Sequence, residues 1–231
     1  MCGITGFFNY PDFNNDKSIE KLTSVIKRRG PDDSKTLKIE KKLILIFTRL
    51  SIVDLTKTGN QPMISNSGRY IILFNGEIYN HKDIKLNLKK DGIKFKGRSD
   101  TEVLLEAIDY YGLDILKDVS GMFSIVLFDK VNSLLYLIND RFGEKPLYFN
   151  YSNKTIFFSS DIKSFTFKKR KLNINALSNY FNNYVISHPN TIWEGVSRIQ
   201  PAHIIKFKLD FNNENVELIE NKKFWDFNLT N

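Results

Sequence analysis

Short runs of apolar residues, not interrupted by polar ones, recur along this chain. The clearest cover residues 43–47, 71–74, 125–128 and 134–138. Runs of this length that are rich in Ile, Leu, Val and Phe are typical of β-strands buried on both faces. The pattern therefore predicts sheets that are covered on both sides.

Other segments have the spacing of amphipathic helices; they cover residues 19–26, 81–91, 103–108 and 174–184. The first helix is predicted to stop at residues 28–31, where two arginines precede Gly and Pro. Asn173 is a candidate cap for the last helix. Ser99 and Glu102 have the spacing of a capping box at the start of the third.

Strands buried on both faces, combined with amphipathic helices, predict an α+β fold in four layers. Two sheets would face each other with helices outside, in the order α/β/β/α. Past about residue 210 the pattern weakens into charged, Asn-rich sequence. We therefore expect a main domain over residues 1–210 and an edge strand or tail over 211–231.

Composition limits the class of protein. The chain has 231 residues, of which 42% are hydrophobic and 26% charged, which excludes collagenous, coiled-coil and disordered chains. No basic leader or apolar stretch of about 20 residues is visible, so we expect a cytoplasmic protein without a membrane partner. The net charge of +8 permits an acidic partner. The basic cluster 168–171 is the best candidate for an anion patch, although a solvated loop between two elements is the favoured interpretation. Because no aromatic-studded RNA-binding motif accompanies the cluster, no nucleic acid is expected.

Two candidate ligand sites can be set aside. The three histidines, His81, His188 and His203, lie far apart without the paired spacing of a metal site, so no metal is expected. Residues 92–99 nearly match a phosphate-binding P-loop. However, Arg98 replaces the required lysine, and the segment follows a predicted helix where a P-loop follows a strand.

Cys2 is the single cysteine, which excludes intrachain disulfides. If Met1 is removed, Cys2 carries a thiol with a reference pKa of about 8.5 and an α-amine of about 7.7–8.0. The amine could then accept the thiol proton, giving a nucleophile with its own base. Taken alone, an incidental cysteine is the more common explanation.

Three further segments offer matching chemistry. Asn75 and Gly76 follow an apolar run and could form an oxyanion hole, although a tight Asn-Gly turn is the alternative. Arg49 follows another run and suits a carboxylate, with a surface ion pair as the alternative. Asp100 lies in the first turn of a predicted helix, where the helix dipole alone favours a carboxylate.

Together these residues resemble the class II, N-terminal-nucleophile glutamine amidotransferase domain, in particular that of glutamine-hydrolysing asparagine synthetases. Two related enzymes of the class, glucosamine-6-phosphate synthase and PRPP amidotransferase, have His where this chain has Phe74, so the asparagine-synthetase type is preferred. The matching blocks follow the family order over most of residues 1–210: Met1-Cys2-Gly3-Ile4, Arg29-Gly30-Pro31-Asp32, Arg49-Leu50-Ser51-Ile52-Val53-Asp54, Asn60-Gln61-Pro62, Asn75-Gly76-Glu77-Ile78-Tyr79-Asn80, Ser99-Asp100-Thr101-Glu102, Gly121-Met122-Phe123, Asp140-Arg141-Phe142-Gly143 and Lys145-Pro146-Leu147-Tyr148.

The resemblance implies the N-terminal-nucleophile hydrolase sandwich and assigns a role to each block. Cys2 would attack the side-chain amide of L-glutamine, with Asn75 and Gly76 holding the oxyanion. Arg49 would bind the α-carboxylate of the substrate. Glu77 and Asp100 would bind its α-ammonium. The pocket would also be lined by Leu50, Ser51, Ile52 and Val53.

The resemblance also implies what lies outside this chain. Residues 1–210 would be the glutaminase domain, and 211–231 would lead to a synthetase domain that is absent here or on a separate chain. No cofactor is expected in this chain, because ATP and Mg²⁺ belong to that synthetase domain and its Ser-Gly-Gly-x-Asp-Ser loop is missing. A sugar as ammonia acceptor, an inactive interaction module and a homodimer stay open. Asn139, where the family often has Arg, is expected to affect local packing only.

Overall fold

The computed structural model describes residues 1–10, 13, 15–51, 56–152, 154–167 and 169–227. Within those residues the strands are, in chain order, β1 (Gly3–Phe8), β2 (Asp33–Ile39), β3 (Leu43–Arg49), β4 (Met63–Ile64), β5 (Tyr70–Ile78), β6 (Gly121–Asp129), β7 (Leu134–Asn139), β8 (Tyr148–Ser152), β9 (Thr155–Ser159), β10 (Ser197–Arg198), β11 (His203–Asp210) and β12 (Asn215–Lys223). The α-helices are α1 (Asp16–Lys27), α2 (His81–Lys90), α3 (Asp100–Tyr111) and α4 (Ile174–Asn183). Short 3-10 helices cover Lys57–Gly59, Leu113–Lys117 and Ile162–Phe167.

The described strands form two six-stranded sheets in which neighbouring strands run antiparallel. The order in the first sheet is β10-β8-β9-β1-β3-β2. The order in the second is β12-β11-β7-β6-β5-β4. β12, formed by residues beyond 210, lies at the edge of its sheet, and most of its side chains are exposed, in keeping with its weak apolar pattern.

The uninterrupted apolar runs arise because alternate side chains of one strand enter different cores. In β3, Leu45 and Phe47 pack between the two sheets, whereas Ile44 and Ile46 pack outward with Ile26 of α1. β5 divides in the same way between the inter-sheet core and the layer of α2 and α3. Three cores therefore separate four layers, and the predicted α/β/β/α order is confirmed.

The start of α3 differs in part from the predicted capping box. Ser99 Oγ does accept a hydrogen bond from Glu102 N, at 3.2 Å. The carboxylate of Glu102, however, accepts bonds from Lys96 N at 2.6 Å and Gly97 N at 2.8 Å. The loop before the helix thus presents two donors to this carboxylate in place of the single N–H of Ser99. Lys96 and Gly97 belong to residues 92–99, the near-match to a P-loop. The Glu102 carboxylate therefore occupies the N–H groups that a phosphate would need.

The other helices begin and end close to their predicted limits. At the start of α4, Asn173 Oδ1 accepts a bond from Ala176 N at 3.1 Å, and Tyr184 after its end is left-handed with φ 57°. α1 ends at its cap Arg28, as the Arg-Arg-Gly-Pro sequence predicts. Among the described residues, no helix has both the length and the apolar character needed to cross a bilayer.

Arg170 and Asn139, two residues singled out by the sequence, are both held by packing and hydrogen bonds. Arg170 of the basic cluster donates from Nε to Phe165 O at 3.0 Å and lies over the Phe165 ring, so it is packed and not simply solvated. Lys168 of that cluster lies outside the described residues. Asn139 is fully buried and donates to Ile199 O at 3.2 Å, so its role is in packing, as expected.

Candidate active site

The antiparallel register of β1 and β3 places Cys2 beside Leu50. Gly3 pairs with Thr48, so the residue before β1 and the residue after β3 meet at the same end of the sheet. Cys2 Sγ lies 3.4 Å from Leu50 N and 3.7 Å from Leu50 O. A Cβ atom at Gly3 would lie 2.4 Å from Thr48 Oγ1, so a glycine is needed for this close pairing.

Asn75, Gly76 and Glu77 lie inside β5, in register with β6, so the alternative of an Asn-Gly turn is wrong. Gly76 pairs with Phe123 of β6. A Cβ atom at Gly76 would lie only 2.1 Å from Met122 O. The glycine is therefore explained by close backbone approach, which the sequence pattern alone did not distinguish from a turn.

One small cleft brings the predicted site residues together. Its volume is about 130 Å³. Pockets for drug-sized ligands have about 300–1,000 Å³, so this cleft suits a small metabolite. The predicted residues that line it are Cys2, Arg49, Leu50, Ser51, Asn75, Gly76, Glu77 and Asp100. The remaining two predicted residues, Ile52 and Val53, lie outside the described residues.

Asn75 presents a buried amide donor in the cleft. Its side chain is 1% exposed, and Nδ2 has no hydrogen-bond partner in the part of the chain that the structure describes. A buried donor left without a partner costs about 1–3 kcal/mol. A ligand oxygen in the cleft would supply the missing acceptor.

Arg49 is a buried part of the cleft wall, so the alternative of a surface ion pair is wrong. The residue is 8% exposed, and its guanidinium donates to Thr56 O at 2.9 Å and to Asn60 Oδ1. These contacts brace one side of the planar group. A guanidinium has N–H donors in a planar fork, a geometry that suits a carboxylate.

The two predicted carboxylates differ in burial. Asp100 is 5% exposed, with Oδ2 accepting from Ile78 N at 3.0 Å and Oδ1 from Thr101 N at 2.8 Å. Burial raises the pKa of Asp100, and these two backbone bonds partly oppose it. Glu77 is exposed at the mouth of the cleft. The site thus holds one inner and one outer acceptor for a cation.

The ionisation of the thiol and of the chain terminus is set by burial. Burial raises the pKa of the Cys2 thiol, while the Leu50 N–H and the nearby positive charge of Arg49 oppose it. Burial also lowers the pKa of the Met1 amine, and the cations Arg29 and Lys145 lower it further. The environment therefore favours a protonated thiol beside a neutral amine.

Several residues of the site were not assigned a role from the sequence. Gln61 is 6% exposed; its Oε1 accepts from Phe74 N at 2.6 Å and its Nε2 donates to Phe74 O at 3.2 Å. It thereby holds β5 directly before Asn75. Asp32 Oδ2 accepts from Ser51 N at 2.7 Å and orients the chain after β3. The sequence signal that could have identified Gln61 and Asp32 is that both lie in the blocks that match the amidotransferase family. The cleft is also lined by Met1, Phe47, Gly59, Phe74, Ser99, Thr101, Met122 and Lys145.

Known proteins are similar in sequence to most of this chain. The sequence model of the family described as glutamine amidotransferase domain matches residues 1–225. Glutamine-hydrolysing asparagine synthetase 3 of Bacillus subtilis is 32% identical, over 91% of this chain and 35% of its own length. The amidase chry2 of Gibberella zeae is 30% identical, over 89% of this chain and 32% of its own length. The chain thus spans about a third of the length of these curated relatives.

Solved structures with the same fold are more distant in sequence. Glutamine phosphoribosylpyrophosphate amidotransferase of B. subtilis, in complex with ADP and GMP, superposes with a TM-score of 0.64 at 15% identity. The superposition covers 97% of this chain and 49% of that one. It shows that the two sheets and their helices form the N-terminal-nucleophile sandwich. With the match of the family model, the chain belongs to the class II glutamine amidotransferase domain family.

Proposed function

We propose that this domain hydrolyses L-glutamine to glutamate and ammonia through a thioester on Cys2. The observation that carries the proposal is that one cleft holds both the Cys2 thiol and the amide donor of Asn75, which has no hydrogen-bond partner among the described residues. A nucleophile and an oxyanion donor that share a small cleft are the two parts that acyl transfer from an amide requires.

The residues of the cleft can account for each proton transfer and each bond change in this reaction. After removal of Met1, the α-amine of Cys2 takes the thiol proton while sulfur bonds to the side-chain carbonyl carbon of glutamine. Asn75 Nδ2 and Gly76 N–H donate to the oxyanion. The α-ammonium returns the proton to the departing nitrogen, and the C–N bond breaks to release ammonia. Water then attacks the thioester, its proton passing through the same amine to the sulfur, and glutamate leaves.

The charges of the cleft fit the two ends of free glutamine. Arg49 would bind the α-carboxylate, since a guanidinium offers paired N–H donors to a planar carboxylate. Asp100 and Glu77 would bind the α-ammonium. Leu50 and Ser51 would line the pocket with backbone groups, and we expect Ile52 and Val53 to do the same.

The decisive experiment measures glutamate and ammonia released from glutamine by the wild-type protein and by Cys2→Ala. Turnover in the wild type and its loss in the variant support the proposal; equal turnover in both overturns the thioester mechanism. Mass spectrometry of the active protein should show that Met1 is removed. Full activity with Met1 retained would exclude the α-amine as the base.

For the fate of the ammonia we propose ATP-dependent asparagine synthesis in a synthetase region outside this chain, where ATP and Mg²⁺ would act. The asparagine synthetases among the relatives support this. The fungal amidase shares the domain under another name, so an acceptor such as a sugar is the second candidate. The complete set of cleft residues argues against an inactive module. Supplying glutamine, ATP and aspartate to this chain together with a synthetase region, and measuring asparagine, separates the acceptors.

A further inference from the structure

Lys145 is a buried cation in the wall of the cleft. The residue is only 9% exposed, and in the described parts of the chain no carboxylate forms an ion pair with its ammonium. Its Nζ lies 3.5 Å from Met1 Sδ. Burying an ammonium without a counter-ion costs free energy, so stability does not explain a lysine here.

The backbone of Lys145 is held by the carboxylate of Asp140, which is fully buried. Asp140 Oδ2 accepts from Lys145 N and from Phe123 N, both at 3.1 Å. Phe123 in turn is the β6 residue that pairs with Gly76. The loop that carries Lys145 is therefore tied to the strand next to the proposed oxyanion donors, and it is held in place independently of Met1.

Arg29 supplies a second cation beside the same terminus. Its Nε donates to Cys2 O at 3.3 Å, and its Nη2 lies 4.0 Å from Met1 Sδ. The opposite charge of Asp161 acts on Arg29 and favours its charged form. Lys145, by contrast, forms no ion pair with a carboxylate among the described residues.

The remaining charged groups near this terminus act mainly on the thiol. Arg49 lowers the pKa of Cys2 and Asp100 raises it, both less than burial does. The amine of the terminus responds to burial first, then to the Cys2 thiolate, Arg29 and Lys145. Among the described residues, the two cations therefore oppose protonation of the Met1 amine, and the Cys2 thiolate favours it.

We propose that Lys145 is a positioning residue for the amino terminus: once Met1 is removed, its ammonium faces the Cys2 α-amine and disfavours a second positive charge there. A like charge within about 4–6 Å disfavours the charged form of a group. The amine then stays unprotonated at neutral pH and can accept the thiol proton. This inference rests on the proposed glutaminase mechanism and names the group that tunes its base.

The test compares Lys145→Met, which keeps the length of the side chain without its charge, with Lys145→Arg, which keeps the charge. Lys130→Met, at an exposed position after β6, is the matched control. The pH dependence of kcat/KM for glutamine reports the essential base of the free enzyme. In Lys145→Met the acidic limb should move up by about one pH unit. At pH values below the acidic limbs of both the wild type and Lys145→Met, the variant should have about tenfold lower activity; well above both limbs the two should be equal. Lys145→Arg and Lys130→Met should keep the wild-type limb.

Recovery of Lys145→Met at high pH shows that the variant is folded. An unshifted limb in Lys145→Met overturns the inference. A loss by the same factor at every pH, or a higher KM alone, also overturns it, since these indicate a structural or a substrate-binding role.

A second readout does not depend on turnover. The rate at which an amine reagent labels the processed N-terminus, followed by mass spectrometry against pH, reports the pKa of the Cys2 amine. That pKa should be higher in Lys145→Met than in the wild type, and equal values overturn the inference. If the wild type releases no glutamate while this labelling difference is present, the proposed function fails and the role of Lys145 stands.

Discussion

The sulfur of Cys2 lies between the two backbone polar groups of one residue, Leu50, with Sγ 3.4 Å from N and 3.7 Å from O. The Leu50 N–H donates to sulfur, and the thiol donates to the carbonyl oxygen. A thiolate would keep the first contact, which favours the charged form. The contact depends on the register between β1 and β3, since a slip of one residue would turn the side chains to opposite faces.

Replacing Asn75 by Ala should lower kcat about 10²–10³-fold with little change in KM, since the oxyanion exists only along the reaction. The free energy of unfolding should not fall by the contribution of a hydrogen bond, because Asn75 Nδ2 has no partner within the described residues. The control is Ser124→Ala, since Ser124 pairs with Asn75 across β5 and β6 and has a buried hydroxyl that is likewise unpartnered there. Steady-state kinetics and thermal unfolding of both variants check this. A similar loss of kcat in Ser124→Ala would trace the effect to strand packing.

Replacing Asp100 by Asn should weaken glutamine binding. Removing one partner of a buried charge pair costs about 2–5 kcal/mol, so KM should rise at least about thirtyfold. Glu106→Gln is the matched control: Glu106 lies on the same helix, is equally buried at 5% exposure, and accepts from Asn66 N away from the cleft. We expect that control to change stability and leave KM as it is. An unchanged KM in Asp100→Asn would remove Asp100 from the substrate site.

The pH dependence of glutamine binding should follow Asp100. Burial raises the pKa of its carboxyl, so it takes up a proton at a higher pH than an exposed aspartate, which titrates near about 3.9. A protonated carboxyl cannot pair with an ammonium, so KM should rise on acidification, starting above that ordinary range. Stability has the opposite sign: a pKa raised in the folded state contributes stability below the unfolded pKa, which is lost as pH rises through the folded one. On acidification KM and the Asp100 contribution to the unfolding midpoint should therefore both rise, because binding weakens while the fold gains stability. A KM that stays constant while the midpoint rises would contradict the assignment.

Replacing Arg49 by Lys should raise KM for glutamine about tenfold or more. Lysine has no fork that can bind a carboxylate while also contacting Thr56 and Asn60. The comparison is Arg69→Lys, because Arg69 pairs with Asp129 at 2.7 Å, at the other end of β5. That change should lower the unfolding temperature and leave KM unaltered. If both variants raised KM equally, the effect would be one of strand stability and not of substrate recognition.

Local spacing was sufficient to predict four of the twelve described strands and the four described α-helices. The runs that became β3, β5, β6 and β7, and the limits of α1 and α4, depend on neighbours along the chain. The role of Glu102 did not follow from spacing, because its carboxylate bonds to Lys96 N and Gly97 N in a loop whose path is not a local property. Asn75 and Gly76 were open to a turn for the same reason: their place inside β5 is decided by the backbone of β6.

The sequence by itself determined the four-layer class, the helices, and the set of residue types that could act on an amide. These follow from the alternation of side chains and from short ordered blocks. Only the tertiary structure decided that Cys2 meets Leu50, 48 residues away, that Asn75 keeps an unpartnered donor within the described residues, and that Lys145 lies buried beside the terminus. Each of these depends on strand register and on close backbone approach between segments far apart in the chain, which no local pattern encodes.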